Sequence, residues 1–470
     1  MLISPDEIAA NQDALWADLS RATSYDLFTW STQAPAGELK GWLDLAYIAK
    51  TTPPKSAALE AQLARWLQAY PQHPANPRLL EQLRAQWKEY ETYPKDIAVL
   101  LPLSGKFAVV AEAVLDGMLA AYYSDTDVAN RPTLRVYDIG ERPFDAWTYY
   151  NRAVQEGAQF VIGPLDKAAV GVIERMETLP VPVLAMNYTE DETTPPPEGL
   201  YQFGLIPEDE ARQVAERLSL AGHSQVVSFA PQGEWGERIL VTFKERFELL
   251  GGRVIDSERY PGGNNTDYSA AILRAFGLNA SEARYRQVRT TVKEDVKFEP
   301  RRRQDVDAVF IAGSPRQARS LKPQLEFHRA TGLPVYATSH VYSGVTDPQA
   351  DRDLNGLIYC DVPWVLPGAN PDAALRKQIE TSLPEANRQF PRLVALGVDA
   401  YRIVPYLKRL AAQPHERFEG VTGNVRVDEM RRLHRDLNWA RFERGRPTLL
   451  KGSDLGEATQ ADPDAENGAR

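Results

Sequence analysis

Ser104-Gly105, Asp166-Lys167 and Asn187-Tyr188 each stand in a turn that follows a short apolar run. A hydroxyl, a carboxylate, an ammonium and an amide in such turns could together hold a small polar ligand. Trp235, Ser314 and Ser339 extend this set of candidates further along the chain. The competing reading is loop and helix-capping chemistry, and Asp166, just after Gly163-Pro164, suits an N-cap. A second chemical feature is the stretch 281–303, which holds eight bases against four acids. It reads either as a partner or anion surface, with Arg301, Arg302 and Arg303 as candidates, or as a solvated helical insertion.

Catalytic signatures are missing. The sequence has no G-x-S-x-G, P-loop, G-x-G-x-x-G or H-E-x-x-H pattern. Its six histidines are scattered, with none at metal-ligand spacing, so surface or structural roles are expected for all of them. Acid pairs such as Glu208/Asp209 and Glu190/Asp191 read as solvated helix starts or loops rather than as paired acid and base. No catalytic residue, metal or cofactor is therefore expected.

The elements that position these residues follow from hydrophobic periodicity. Four apolar runs, Ile97–Leu101, Leu134–Tyr137, Phe160–Ile162 and Val181–Met186, alternate with helix-period segments. That alternation predicts βαβ units and a parallel sheet buried on both faces. Ligands of open α/β sheets bind outside the carboxyl ends of the strands, where the turns named above fall. A second α/β series is predicted after Phe203-Gly204. It has strands near 225–229, 253–257, 308–312, 334–337 and 357–360, helices near 207–220, 234–250, 268–276 and 315–331, and a long helix over 390–411. Residues 423–427 and 437–442 read as a closing hairpin. Gly117 inside the amphipathic helix 107–123 costs helix propensity and implies close backbone packing.

Residues 1–92 read as helical and tetratricopeptide-like. Ser4, Pro5 and Glu7 form a capping-box start. Five of the nine tryptophans lie in the first 90 residues, so this segment must bury large rings.

Composition sets the outer limits. The 470 residues are 43 % hydrophobic and 25 % charged, an ordinary globular balance for two or three domains. A net charge of −10 makes nucleic acid the weakest partner class. Cys360 is the only cysteine, which excludes an intrachain disulfide. No apolar run reaches the roughly 18 residues of a membrane span. Met1–Pro5 carries neither a basic start nor an apolar export core. The tail from Ser453 has five acids and one base, and is expected to be disordered.

Several landmarks resemble a known fold. Leu103-Ser104-Gly105, Ile162-Gly163-Pro164, Pro180–Met186 and Trp235-Gly236 are similar to the type I periplasmic binding fold, the two-lobed flytrap of amino-acid receptors. Longer phrases narrow the resemblance: Pro300–Asp305, Pro315–Arg319, Lys322–Leu325, Pro334–Ser339, Cys360–Trp364 and Ala395–Tyr401. With these, about three quarters of the chain resembles the LpoA family of penicillin-binding protein activators. The resemblance implies an α/β two-lobed flytrap-like domain over 93–452, preceded by the helical segment. The first lobe is expected over about 96–203 and 338–415, the second over about 204–337 and 416–452.

The resemblance also implies a function. It is non-enzymatic activation of a bifunctional (class A) penicillin-binding protein in peptidoglycan synthesis, by protein contact in the periplasm. Family members are lipoproteins on the inner face of the outer membrane. The lipobox cysteine and export signal are lacking here, so membrane attachment would come only through a lipid anchor absent from this chain, which reads as truncated. The alternative is a periplasmic small-ligand receptor for amino acids or muropeptides, its ligand unknown. Amino-acid receptors tend to place a hydroxyl residue after Gly-Pro to hold the ligand carboxylate; here that stretch is Leu165-Asp166-Lys167. Two carboxylates about 4 Å apart repel by about 4 kcal/mol at an effective dielectric of about 20. That is roughly a thousandfold in affinity. Bulky Tyr188 and Trp235 are expected near the rim.

Overall fold

A computed structural model describes residues 4–52, 57–90, 93–125, 131–189, 194–263, 267–292 and 298–450. The acidic tail, and Glu190, Asp191, Lys293 and Lys297 of the sequence reading, lie outside the described residues. The chain forms two compact units: Met1–Leu205 with Pro371–Asp436, and Ile206–Asn370 with the chain from Leu437.

The first unit begins with helices α1 (Pro5–Arg21), α2 (Ser24–Gln33), α3 (Glu38–Thr51), α4 (Ala57–Ala69) and α5 (Arg78–Tyr90). The capping box at Ser4 is present: its hydroxyl accepts from the Glu7 amide, and its own amide donates to Glu7 at 2.8 Å. Trp16, Trp42, Trp66 and Trp87 meet Leu27, Leu63 and Leu83 in one core, so four of the five tryptophans are buried as expected, while Trp30 stays exposed. His73 is buried in that core. Its Nε2 lies 2.9 Å from the Glu38 carbonyl, and its ring packs edge-on against Trp42 and Trp66.

Strands β1 (Asp96–Leu101), β2 (Thr133–Asp138), β3 (Phe160–Ile162), β4 (Val183–Ala185) and β5 (Leu200–Gln202) follow. They form an all-parallel sheet in the order β2-β1-β3-β4-β5. Helices α6 (Ala108–Ser124), α7 (Asp145–Gln155) and α8 (Lys167–Glu174) connect them. The later segment adds helix Pro391–Arg402 against α6. A Cβ on Gly117 would lie 2.0 Å from the Val394 carbonyl oxygen, and one on Gly397 would lie 1.9 Å from that of Val114. The glycine inside α6 is thus a helix-crossing point, as its propensity cost implied.

The second unit runs through α9 (Pro207–Leu220), β6 (Gln225–Pro231), α10 (Glu234–Leu249), β7 (Arg253–Tyr260), α11 (Ser269–Ala275) and α12 (Leu278–Val292). It continues with β8 (Ala308–Ile311), α13 (Pro315–Leu325), β9 (Val335–Ala337) and β10 (Ile358–Asp361). β7-β6-β8-β9-β10 are parallel, and Asn438–Glu443 and Arg446–Leu449 extend the sheet antiparallel beyond β10.

The crossing points differ from the sequence reading. β10 pairs with β9, so residues 338–370 stay with the second unit. Residues 416–436 stay with the first, where Phe418–Gly420, Gly423–Val427 and Leu433–Asp436 make a small antiparallel sheet. Asp399 holds that sheet to helix Pro391–Arg402. It is buried and accepts from the amides of Val421 at 2.9 Å and Thr422 at 2.7 Å. The expected hairpin of 423–427 with 437–442 is therefore not formed, because the two runs join different sheets. The expected helix 390–411 breaks at Val404–Tyr406, where Pro405 cannot supply an amide donor.

Candidate functional site

In the first unit, Ser104, Gly105, Asp166, Lys167 and Asn187 come to the carboxyl edge of the parallel sheet, as the spacing implied. The polar groups there are already used. The Lys106 amide donates to Glu141 at 2.6 Å, and the Leu103 and Gly140 amides donate to Asp138 at 3.0 and 2.9 Å. Burial pushes the Asp138 carboxyl up. The Gly140 amide, the Ser104 hydroxyl and the amides of Leu103 and Ser104 outweigh it and hold the group below the usual range. Gly105 adopts φ +82°, and a Cβ there would lie 2.2 Å from the Glu141 carboxylate. The turn after β1 is thus closed by the protein's own acids.

Asp166 caps α8, accepting from the Ala169 amide at 3.2 Å, and Lys167 stands exposed beside it. Asn187 donates to the Leu165 carbonyl at 3.1 Å and accepts from the Tyr188 amide at 2.9 Å. Tyr188 is buried rather than at a rim, with its hydroxyl donating to the Leu433 carbonyl. Here the capping and loop reading accounts for the geometry.

In the second unit, Trp235 opens α10. Gly236 lets that turn press on β6, since a Cβ would fall 1.9 Å from the Pro231 carbonyl oxygen. Ser314 caps α13 in a capping box with Gln317, whose side chain accepts from the Ser314 amide at 2.8 Å. Ser339 is buried, and both its amide and its hydroxyl donate to Glu210 at 2.9 Å. His340 Nδ1 lies 3.5 Å from the same carboxylate, and the His340 ring lies 5.0 Å from that of the half-buried Trp235.

Trp235, His340, Glu210 and Ser339 therefore form one cluster. Glu210 and His340 escaped the sequence reading. The available signals were the position of His340 directly after Ser339 and the acidic first turn of α9. That turn is not simply solvated. Asp209 and Glu210 are buried, and Glu208 pairs with Arg238 at 2.8 Å. The cluster lacks the geometry of a nucleophile: the Ser339 hydroxyl donates to Glu210, not to the imidazole. It reads as a clamp on the turn after β9. Among the described residues no group of three or more His, Cys, Asp or Glu is placed to hold a metal ion, and no helix is long and apolar enough to cross a membrane.

The arginine run divides. Arg303 is neutralised by Asp305 in a bidentate pair at 2.7 and 2.8 Å. Arg301 is exposed and Arg302 half-buried. Both line a cavity of about 530 Å³ with Glu299, Pro300, Gln304 and Arg329. Arg284, Arg286 and Arg289 stand exposed on α12, the helical insertion of the alternative reading.

The model of the family described as "LppC putative lipoprotein" matches residues 1–445. The chain belongs to the LppC family. A relative from Photobacterium profundum, named penicillin-binding protein activator LpoA, is 30 % identical over 436 residues, 92 % of this chain and 70 % of the relative. Full-length LpoA of Haemophilus influenzae superposes with a TM-score of 0.59 at 23 % identity, covering 96 % of this chain and 76 % of that one. The C-domain of the same protein, described as a regulator of PBP1A, gives 0.57 at 22 % identity over 76 % of this chain and all of that one (100 %). At these identities the two structures establish the fold. This LppC chain carries an α/β domain like the type I periplasmic binding proteins, after a mostly helical amino-terminal region.

Proposed function

We propose that this chain activates a bifunctional, class A penicillin-binding protein by protein contact and performs no chemistry itself. The observation that carries this reading is the match to penicillin-binding protein activators across 92 % of the chain. The first unit's sheet edge supports it from the other side. An amino-acid receptor needs amides and hydroxyls there for a ligand carboxylate. Asp138, Glu141 and Asp166 already engage those donors. Family membership supports a periplasmic lipoprotein associated with the outer membrane. Activation requires only that the chain bind the synthase's active state better than its inactive one. A preference of about 2 kcal/mol shifts such a balance roughly thirtyfold.

The test is peptide cross-linking and glycan polymerisation by the cognate synthase, with and without this chain. A several-fold rise in cross-linking is expected. Unchanged rates at saturating protein would overturn the reading.

A further inference from the structure

We propose that the cavity walled by Glu299–Arg302, Gln304 and Arg329 receives an acidic segment of the synthase, with its carboxylates on Arg301 and Arg302. This rests on the activator reading and names the face that reading leaves open. Three arginines stand here against one glutamate, in a chain whose net charge is −10. Such a local reversal of sign steers an acidic partner to one spot.

The pairing pattern singles out two of the three. Arg303 is spent on Asp305 and Arg329 on Glu299 at 2.8 Å. Arg301 and Arg302 have no carboxylate partner among the described residues; Arg302 only donates to the Arg303 carbonyl at 3.0 Å. A half-buried guanidinium has lost part of its hydration, and an incoming carboxylate would restore that loss.

Arg329, which also lines the cavity, stands on unusual backbone. The helical backbone breaks at His328 and Arg329, just after α13, and Arg329 sits at φ +70°. That left-handed conformation is costly for a residue with a Cβ, and such strained positions cluster at functional sites. The same stretch exposes 80 % of Phe327. Aromatic residues and arginines together are what protein interfaces enrich, which favours a protein segment over a free small anion.

The experiment measures association of the full chain with the extracytoplasmic part of the cognate class A synthase, at low and moderate salt. Arg301→Glu with Arg302→Glu should slow association about tenfold at low salt, flatten its salt dependence and leave the melting temperature unchanged. Arg301→Ala with Arg302→Ala should shift it the same way by less, and decides the matter if the reversed pair fails to fold. Arg284→Glu with Arg289→Glu on α12 should leave association as in the wild type. The surface is wrong if the reversed pair associates at the wild-type rate, or if the α12 pair loses as much. In either case wild-type stimulation would keep the activator reading standing. A wild-type chain that neither binds nor stimulates would overturn both.

Discussion

The two parallel sheets carry similar residues at their carboxyl edges and use them differently. In the first unit, Asp138 and Glu141 turn back onto the amides of Leu103 and Lys106, Asp166 caps its own helix, and Asn187 donates to the Leu165 carbonyl of the adjacent turn. Apart from the Tyr188 hydroxyl on the Leu433 carbonyl, these interactions join neighbouring turns. In the second unit, one carboxylate, Glu210, reaches from α9 to the Ser339 turn 129 residues away and takes both of its donors. The first edge is a row of separate local closures. At the second, one buried carboxylate ties two distant segments together, so its loss should be larger and less local.

The strongest break in that comparison is Glu210→Ala. It removes the carboxylate that accepts from the buried Ser339 amide and hydroxyl. Hydrogen bonds to a charged acceptor contribute about 1.5–3 kcal/mol each. A loss of about 3 kcal/mol is expected, seen as a lower urea midpoint, with Glu210→Gln losing less. Equal stability of Glu210→Ala and wild type would mean that the clamp does not hold the turn.

That clamp shows what the sequence could and could not disclose. The apolar runs at 97–101, 134–137 and 160–162 are strands because a sheet buried on both faces demands continuous apolar residues. The Ser4 capping box was legible because its partners lie three residues apart. β5 went unread as a strand because its three residues carry no period. α2 lies within the stretch read as helical, and Thr23 caps it by accepting from the Asp26 amide at 3.0 Å. The return points of the chain depend on β10 pairing with β9 and on Asp399 holding residues 421 and 422. These are tertiary choices with no local signature. The same holds for the site: loop acids such as Asp166 could be placed, but the Glu210–Ser339 pair has no spacing to reveal it.

A smaller effect belongs to the first edge. Gly105→Ala places a Cβ against Glu141 at positive φ, which costs about 1–2 kcal/mol. Glu141→Ala removes the acceptor of the Lys106 amide at a cost of about 1 kcal/mol. The obstacle is a side chain, so the double variant should lose less than the two single losses together. Strict additivity in chemical denaturation would show that Glu141 does not fill the turn.

The smallest expected effect is the most discriminating. Asp166→Ser exchanges one good N-cap for another, so stability should change by no more than a few tenths of a kcal/mol, whereas Asp166→Ala should lose about 1 kcal/mol. The serine variant also restores the hydroxyl that amino-acid receptors tend to carry at this place, and removes the carboxylate that would repel a ligand's own. If Asp166 were the sole barrier, Asp166→Ser would become an amino-acid binder. Asp138 and Glu141 still occupy the neighbouring amides, so no binding is expected, and the melting temperature of the variant should stay flat across amino acids and muropeptides. A saturable, stoichiometric shift of several degrees in the variant alone would show that one residue closes the site. The first edge would then be a receptor pocket blocked at a single point, rather than a series of turns that satisfy one another.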